Sequence, residues 1–203
     1  MKRQFLLLLV ITTFSTATLT AQVQKGNWLL GATMGFNSST SNNPSGSSSN
    51  TNLSPRIGMA IGNNSVLGLK TNFGYSTSKS ETNSDKSNST NIGTSIYWRR
   101  YMPIKKQLGW YLEPSAGFST GNTVTKNSIG KTKYNSTTYA VYVTPGLYYQ
   151  ALPKLLINVD FGGLSYSHNR YKSGGNPINK TSSVNLNLLS SFTFGVDFIL
   201  GKG

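Results

Sequence analysis

Eight successive runs of residues alternate apolar and polar side chains with a period of two, a pattern that strands satisfy and helices do not. In the first, Trp28, Leu30, Ala32, Met34 and Phe36 share one face while Asn27, Gly31, Thr33 and Gly35 share the other, with Leu29 as the interruption. The second sets Leu53, Pro55, Ile57, Met59 and Ile61 against Ser54, Arg56, Gly58 and Ala60, and the third sets Leu67, Leu69, Phe73 and Tyr75 against Gly68, Lys70, Asn72 and Gly74. In the fourth, Ile92, Ile96 and Trp98 oppose Gly93, Ser95, Tyr97 and Arg99; in the fifth, Trp110, Leu112, Ala116 and Phe118 oppose Tyr111, Glu113, Ser115 and Gly117. Tyr139, Val141, Val143 and Leu147 oppose Ala140, Tyr142, Thr144 and Gly146 in the sixth, and Ile157, Val159 and Phe161 oppose Asn158, Asp160 and Gly162 in the seventh, where Gly162 and Gly163 suggest a bulge. The eighth reads as the cleanest, with Val184, Leu186, Leu188, Phe192, Phe194, Val196, Phe198 and Leu200 alternating with Asn185, Asn187, Ser191, Thr193, Gly195 and Asp197. Each run has about 9 to 12 residues, the length that crosses a hydrocarbon core at a tilt.

The connections alternate too, long and short in turn. Asn37 to Asn52, Thr77 to Ser89, Gly121 to Thr137 and His168 to Thr181 are rich in Ser, Asn, Thr and Gly and read as solvated loops. Gly62 to Ser65, Met102 to Leu108 and Gln150 to Lys154 read as tight turns, two of them carrying Pro103 and Pro153. The expectation is an all-β chain, an eight-stranded antiparallel up-and-down barrel with short turns at one end and large loops at the other.

Residues 1–21 are set apart from this domain, which runs over residues 22–203. Lys2 and Arg3 precede an apolar core from Phe5 to Ile11, and small or polar residues from Thr12 to Ala21 lead to a cut before Gln22, the layout of a secretory signal peptide. Leu19 departs from the small-residue ideal at the third position before that cut. Beyond this segment no apolar run reaches the roughly 18 residues of a membrane helix, so any span is made of strands. The absence of cysteine excludes a disulfide framework and a thiolate metal site. The formal net charge is +14, and 17 of the 19 basic residues lie outside the signal against 5 acidic ones. The basic residues are scattered instead of forming the stripe of a nucleic-acid reader, and lipopolysaccharide phosphates are the more natural anionic neighbour of an exported chain.

Alternation alone fits a soluble barrel as well as a membrane one, and three features separate them. Trp28, Phe36, Tyr75, Trp98, Trp110, Phe118, Tyr139, Tyr149 and Phe198 fall near run ends, as aromatic girdles at two membrane interfaces would. Arg56, Lys70, Arg99, Glu113, Asp160 and Asp197 all fall on the polar face, three of each sign, which suits an enclosed lumen whose buried charges must be paired. Arg99 lies three positions before the Met102–Leu108 turn and Glu113 five after it, a diagonal that long side chains bridge, with Tyr97 and Tyr111 on the same face. Finally, Thr193, Gly195, Phe198 and Leu200 form a polar-x-Gly-x-x-apolar-x-apolar ending that resembles the C-terminal assembly signal of outer-membrane barrels, with Gly201 to Gly203 running past the usual terminal aromatic.

The segments Trp28 to Phe36, Thr144 to Tyr149, Phe161 to Ser167 and Phe194 to Phe198 resemble the outer-membrane protein β-barrel domain family. The resemblance covers nearly all of Gln22 to Leu200 and implies a monomeric barrel in the cell outer membrane. It also implies outer-membrane lipid and lipopolysaccharide as neighbours, and the barrel assembly machinery as a partner during insertion. A biochemical activity follows from it much less firmly.

No catalytic constellation stands out. His168 is the only histidine, close to Ser165 and Ser167, and the enzymatic reading is a lipid A deacylase using a His and Ser pair. In a Ser-rich chain that spacing is expected by chance, and an exposed loop histidine is the simpler reading. Ligands for a metal and glycine fingerprints for a phosphate are both lacking, so no cofactor is expected. Eight strands enclose a lumen just wide enough for side chains, and Arg56, Lys70 and Arg99 would plug it. A structural or surface-interaction barrel is therefore expected, with a narrow small-solute pore or a lipid-modifying enzyme as alternatives.

Overall fold

In a computed structural model, which describes residues 23–42, 45–80, 85–127, 130–173 and 176–201, the chain forms a closed barrel of eight antiparallel strands in sequence order. They are β1 (Trp28–Asn42), β2 (Ser45–Gly62), β3 (Ser65–Ser80), β4 (Lys86–Pro103), β5 (Leu108–Asn127), β6 (Gly130–Leu152), β7 (Leu155–Ser173) and β8 (Asn176–Leu200). The proposed signal segment lies outside the described residues.

The faces divide as a membrane wall requires. Leu30, Ile57, Leu69, Ile96, Phe118, Val141 and Phe194 point outward, each 47–63% exposed, whereas Arg56, Arg99, Glu113 and Asp197 on the alternate positions are buried. A soluble barrel would have the opposite arrangement, because water would penalise this continuous outer apolar belt. In lipid the belt is at home, and closure leaves the wall few backbone groups without a partner. Trp28, Trp98, Trp110 and Tyr149 ring the turn end of the belt, and Phe36, Tyr75, Phe118 and Tyr139 ring the other, all outward. Trp28 and Phe36 are eight positions apart on β1, roughly 20 Å of height at about 3.3 Å per residue and a tilt near 40°.

Five sequence expectations need correction. The long connections are largely strand: β1 and β2 pair as far as Asn42 and Ser45, and β5 and β6 as far as Asn127 and Gly130, so the strands run to 15–25 residues instead of 9–12. Ser, Asn and Thr ladders sustain them where both faces meet water. Ser39 bonds Ser48 (2.8 Å), Thr77 donates to Asn88 (3.0 Å), Ser89 bonds Thr123 (2.6 Å) and Thr138 donates to Asn169 (2.6 Å), all across paired strands. Second, Leu29 interrupts nothing: it faces the lumen and is 3% exposed, because the turn end of the lumen is packed with apolar and aromatic side chains.

Third, β8 keeps the outward face that its alternation implies, with its even-numbered apolar residues from Val184 to Leu200 exposed, but it is not one unbroken ladder with β7. Asp160 pairs with Thr193 but Gly162 pairs with Leu188, so β8 loops out between them with Leu189 at φ 62°. The glycine bulge in β7 (Gly162 at φ 80°) shifts its outward positions from odd, at Ile157, to even, at Leu164 and Tyr166, which glycine permits without strain. Beside this irregularity the closing seam is short, with β1 and β8 paired only from Trp28 with Leu200 to Met34 with Phe194. The fourth correction concerns His168, the fifth the diagonal between Arg99 and Glu113, and both are given below.

Candidate functional site

The candidate site is the lumen, and alternation decides which side chains enter it. Gly31, Arg56, Lys70, Arg99, Glu113 and Asp197 come from six different strands, so no short motif could have announced their meeting. Asp197 is the hub. It accepts from Arg56 Nε (2.7 Å) and Nη2 (2.8 Å), from Arg99 Nη1 (3.1 Å) and from Asn158 Nδ2 (2.8 Å). Glu113 is the second anion, accepting from Arg99 Nε (2.7 Å) and from Lys70 Nζ (2.7 Å). The register sets Arg99 and Glu113 between the pairs Tyr97–Ser115 and Arg100–Leu112, so they stand opposite one another, not on a diagonal.

Room for this network comes from Gly31, where any side chain would run into the Asp197 carboxylate, and from Gly195, where it would meet Thr33. The Arg99 guanidinium also lies 4.1 Å from the centroid of the Tyr111 ring, a cation–π contact. Asp160 stands apart from the four ion pairs among the described residues and accepts instead from the Tyr111 hydroxyl. Lys70, with its side chain 22% exposed, is the wettest member.

Towards the turn end the lumen becomes apolar and aromatic. Val23, Leu29, Val66, Tyr101, Tyr148, Leu156 and Ile199 are all buried there, with Tyr101 and Tyr148 edge to face at 5.1 Å between centroids. Glycines opposite the large rings make the space: Gly146 underlies Tyr111, Gly109 underlies Tyr148, and Gly58 and Gly68 underlie Tyr97. Val23 and Asn64 hold each other across the base, Asn64 N donating to Val23 O (2.8 Å) and Val23 N to Asn64 Oδ1 (3.3 Å). This floor was largely invisible in sequence, since apolar residues on a polar face look like noise in the period.

Above the network the lumen opens into two adjoining cavities of about 280 and 310 Å³. Ser54, Lys70, Tyr142 and Thr144 border both. The four residues of the C-terminal pattern divide by parity: Phe198 and Leu200 face outward, half exposed, while Gly195 faces the lumen and Thr193 lines the second cavity.

His168 is not in a loop but in β7, outside the belt and beside Tyr139, with which it pairs. Its hydroxyl neighbour is Ser182 of β8, at 2.9 Å from Nδ1, and not Ser165 or Ser167. Those two serines lie an odd number of positions from His168 along the strand and so face the lumen, Ser165 in the second cavity and Ser167 bonded to Ser183. No described acid is hydrogen-bonded to the imidazole.

The translocator domain of the autotransporter NalP from Neisseria meningitidis shares the fold with a TM-score of 0.53 at 16% identity, over 91% of this chain and 64% of that one. This chain thus spans about two thirds of that domain's length. Ail, the attachment invasion locus protein of Yersinia pestis, matches at a TM-score of 0.43 and 11% identity over 87% of this chain and 100% of that one. A major outer membrane protein from Thermus thermophilus matches at 0.49 and 9%, again over 87% and 100%. No curated protein matches the chain. The family model described as outer membrane protein beta-barrel domain matches residues 6–196, and the chain therefore belongs to the outer-membrane protein β-barrel family.

Proposed function

We propose that this chain is a non-enzymatic, monomeric outer-membrane barrel with a structural or surface-interaction role, whose lumen passes no solute. It is exported with a signal cleaved before Gln22, and the barrel assembly machinery reads the ending Thr193, Gly195, Phe198 and Leu200. The observation that carries the reading is the two-layer closure of the lumen. Arg56, Arg99, Glu113 and Asp197 cross-brace the middle, and a floor of Tyr101, Tyr148, Leu156 and Val23 lies beneath them. An ion would have to part paired charges and then cross a dry aromatic layer. In this reading the polar strand extensions beyond the belt form a rigid wall at the cell surface, with the three short turns in the periplasm.

Planar-bilayer recording tests the closure. The reconstituted barrel is expected to give no steady conductance, and a stable conductance like that of a general porin would favour the pore alternative. The enzymatic alternative draws on the His168–Ser182 hydrogen bond, an exposed pair at the level of the outer girdle. A nucleophile and base without an orienting acid is an incomplete relay, which supports the non-enzymatic reading.

A further inference from the structure

Beyond the outer girdle the barrel wall carries an arrangement that strand pairing ordinarily avoids. Lys79 of β3 pairs directly with Lys86 of β4, Lys86 with Lys126 of β5, and Lys126 with Lys131 of β6. Directly paired residues share a face, and parity with Tyr75, Ile96, Phe118 and Tyr139 makes it the outer one. All four lysines are exposed. With strands about 4.8 Å apart, the row places four positive charges across roughly 15 Å. On the opposite side of the wall Arg170 of β7 pairs with Lys180 of β8, again like charge against like.

Like charges directly opposite are destabilising in a sheet. No ion pair among the described residues relieves them, since the four there are all in the lumen; Arg170 has the Tyr139 ring at 5.7 Å from its guanidinium, and the lysine row has no such contact among the described residues. Three of the five acids of the chain are drawn inside by Arg56, Lys70, Arg99 and Tyr111. Asp85, the described acid at this end, is in none of the ion pairs and turns its backbone carbonyl to Ser80. Among the described residues the segregation leaves the outer face of the wall with basic charges alone.

Height narrows the partner. Lys79 stands four positions past Tyr75, and Arg170 four past Tyr166, roughly 10 Å above the girdle at about 3.3 Å per residue and a tilt near 40°. Lys131 stands eight positions before Tyr139, roughly 20 Å above it. A row climbing outward through that range, facing sideways, meets the headgroups of the surrounding outer leaflet before it meets a soluble molecule.

We propose that the Lys79–Lys86–Lys126–Lys131 row binds the phosphate groups of lipopolysaccharide packed against the barrel, each phosphate bridging neighbouring lysines. This rests on the reading of the chain as an outer-membrane barrel. A phosphate between two ammonium groups converts the repulsion into paired charge-assisted hydrogen bonds. The partner thereby stabilises the wall that the row alone weakens.

The test is binding of purified lipopolysaccharide to the full mature chain refolded in zwitterionic detergent, with heat-modifiable gel migration confirming the fold of each variant. Wild type should bind with an affinity that falls steeply with salt and should gain urea resistance on binding. Changing all four lysines (Lys79→Gln, Lys86→Gln, Lys126→Gln, Lys131→Gln) should weaken binding about tenfold or more. The same change of charge at the turn end (Lys25→Gln, Lys105→Gln, Lys106→Gln, Lys154→Gln) should leave it within about twofold, since an equal number of cations is removed at the wrong height. Lys86→Glu should raise urea resistance without lipopolysaccharide and reduce the gain on adding it. Equal losses in the two fourfold variants, an unchanged row variant, or binding of a soluble sulfated polysaccharide or inorganic phosphate in place of lipopolysaccharide would overturn the proposal while the barrel reading stands. A wild-type chain that does not insert in membranes would overturn both.

Discussion

Asp197→Asn is the substitution to which the lumen should respond most strongly. The side chain keeps its shape and loses its charge, and among the described residues it is the only carboxylate in the ion pairs of Arg56. Removing one partner of a buried pair costs about 3–5 kcal/mol, because the other charge stays buried without compensation. Arg99 loses less, retaining Glu113 at 2.7 Å and the Tyr111 ring. Arg56 also borders the cavity of about 310 Å³, where water can reach it and lower the penalty. The expected loss is therefore about 3–4 kcal/mol for Asp197→Asn. For Glu113→Gln it is about 2 kcal/mol, since Arg99 keeps Asp197 and Lys70 can turn to the water that already reaches it.

The assay is urea unfolding of the refolded barrel followed by tryptophan fluorescence, for which Trp28, Trp98 and Trp110 on the lipid face are suitable reporters. Combining Arg56→Gln with Asp197→Asn should recover at least about 2 kcal/mol of the summed single losses. A coupling below about 0.5 kcal/mol, or a Glu113→Gln loss as large as that of Asp197→Asn, would refute the assignment of Asp197 as the hub.

Two further outcomes follow from the same geometry. Gly146→Val drives a side chain into the Tyr111 ring and should cost about 1–3 kcal/mol by overpacking, whereas Gly62→Ala, whose added carbon meets only Ser65 Cβ at 3.8 Å, should stay within about 0.5 kcal/mol in the same unfolding assay. His168→Ala should leave the acylation of lipid A unchanged when cell lipid is analysed by mass spectrometry. Acyl-chain removal by wild type that the variant lacks would make the chain an enzyme.

What the sequence reveals here depends on contrast between the two faces of a strand. Between the girdles one face meets lipid and the other a polar lumen, so Leu67, Leu69 and Phe73 against Gly68, Lys70 and Asn72 specify both strand and register. Beyond the girdles both faces meet water, the contrast vanishes, and Ser47 to Asn52 reads as loop although it is paired with β1 and β3 throughout. At the turn end both faces are apolar, which is why Leu29 looked like an error and why the floor of Leu156 and Ile199 carried no signal. The polar lumen side chains could be assigned to a face from parity alone, but their partners could not. Arg56 and Asp197 are 141 residues apart in the chain and meet only because β8 closes onto β1, beside β2. His168 and its neighbouring serines were separable by parity, since residues an odd number of positions apart on a strand face opposite ways.

Cysteine accessibility tests the central claim, that the apolar face meets lipid and the charged face is enclosed. The chain has no cysteine, so single replacements report without background. In reconstituted vesicles with the long-hairpin end outside, Leu69→Cys and Ile96→Cys on the belt should resist a water-soluble maleimide, while Ser47→Cys, on the outer face beyond the girdle, should react within minutes. Detergent-free labelling of Leu69→Cys and Ile96→Cys as fast as Ser47→Cys would place the apolar face in water and contradict the account.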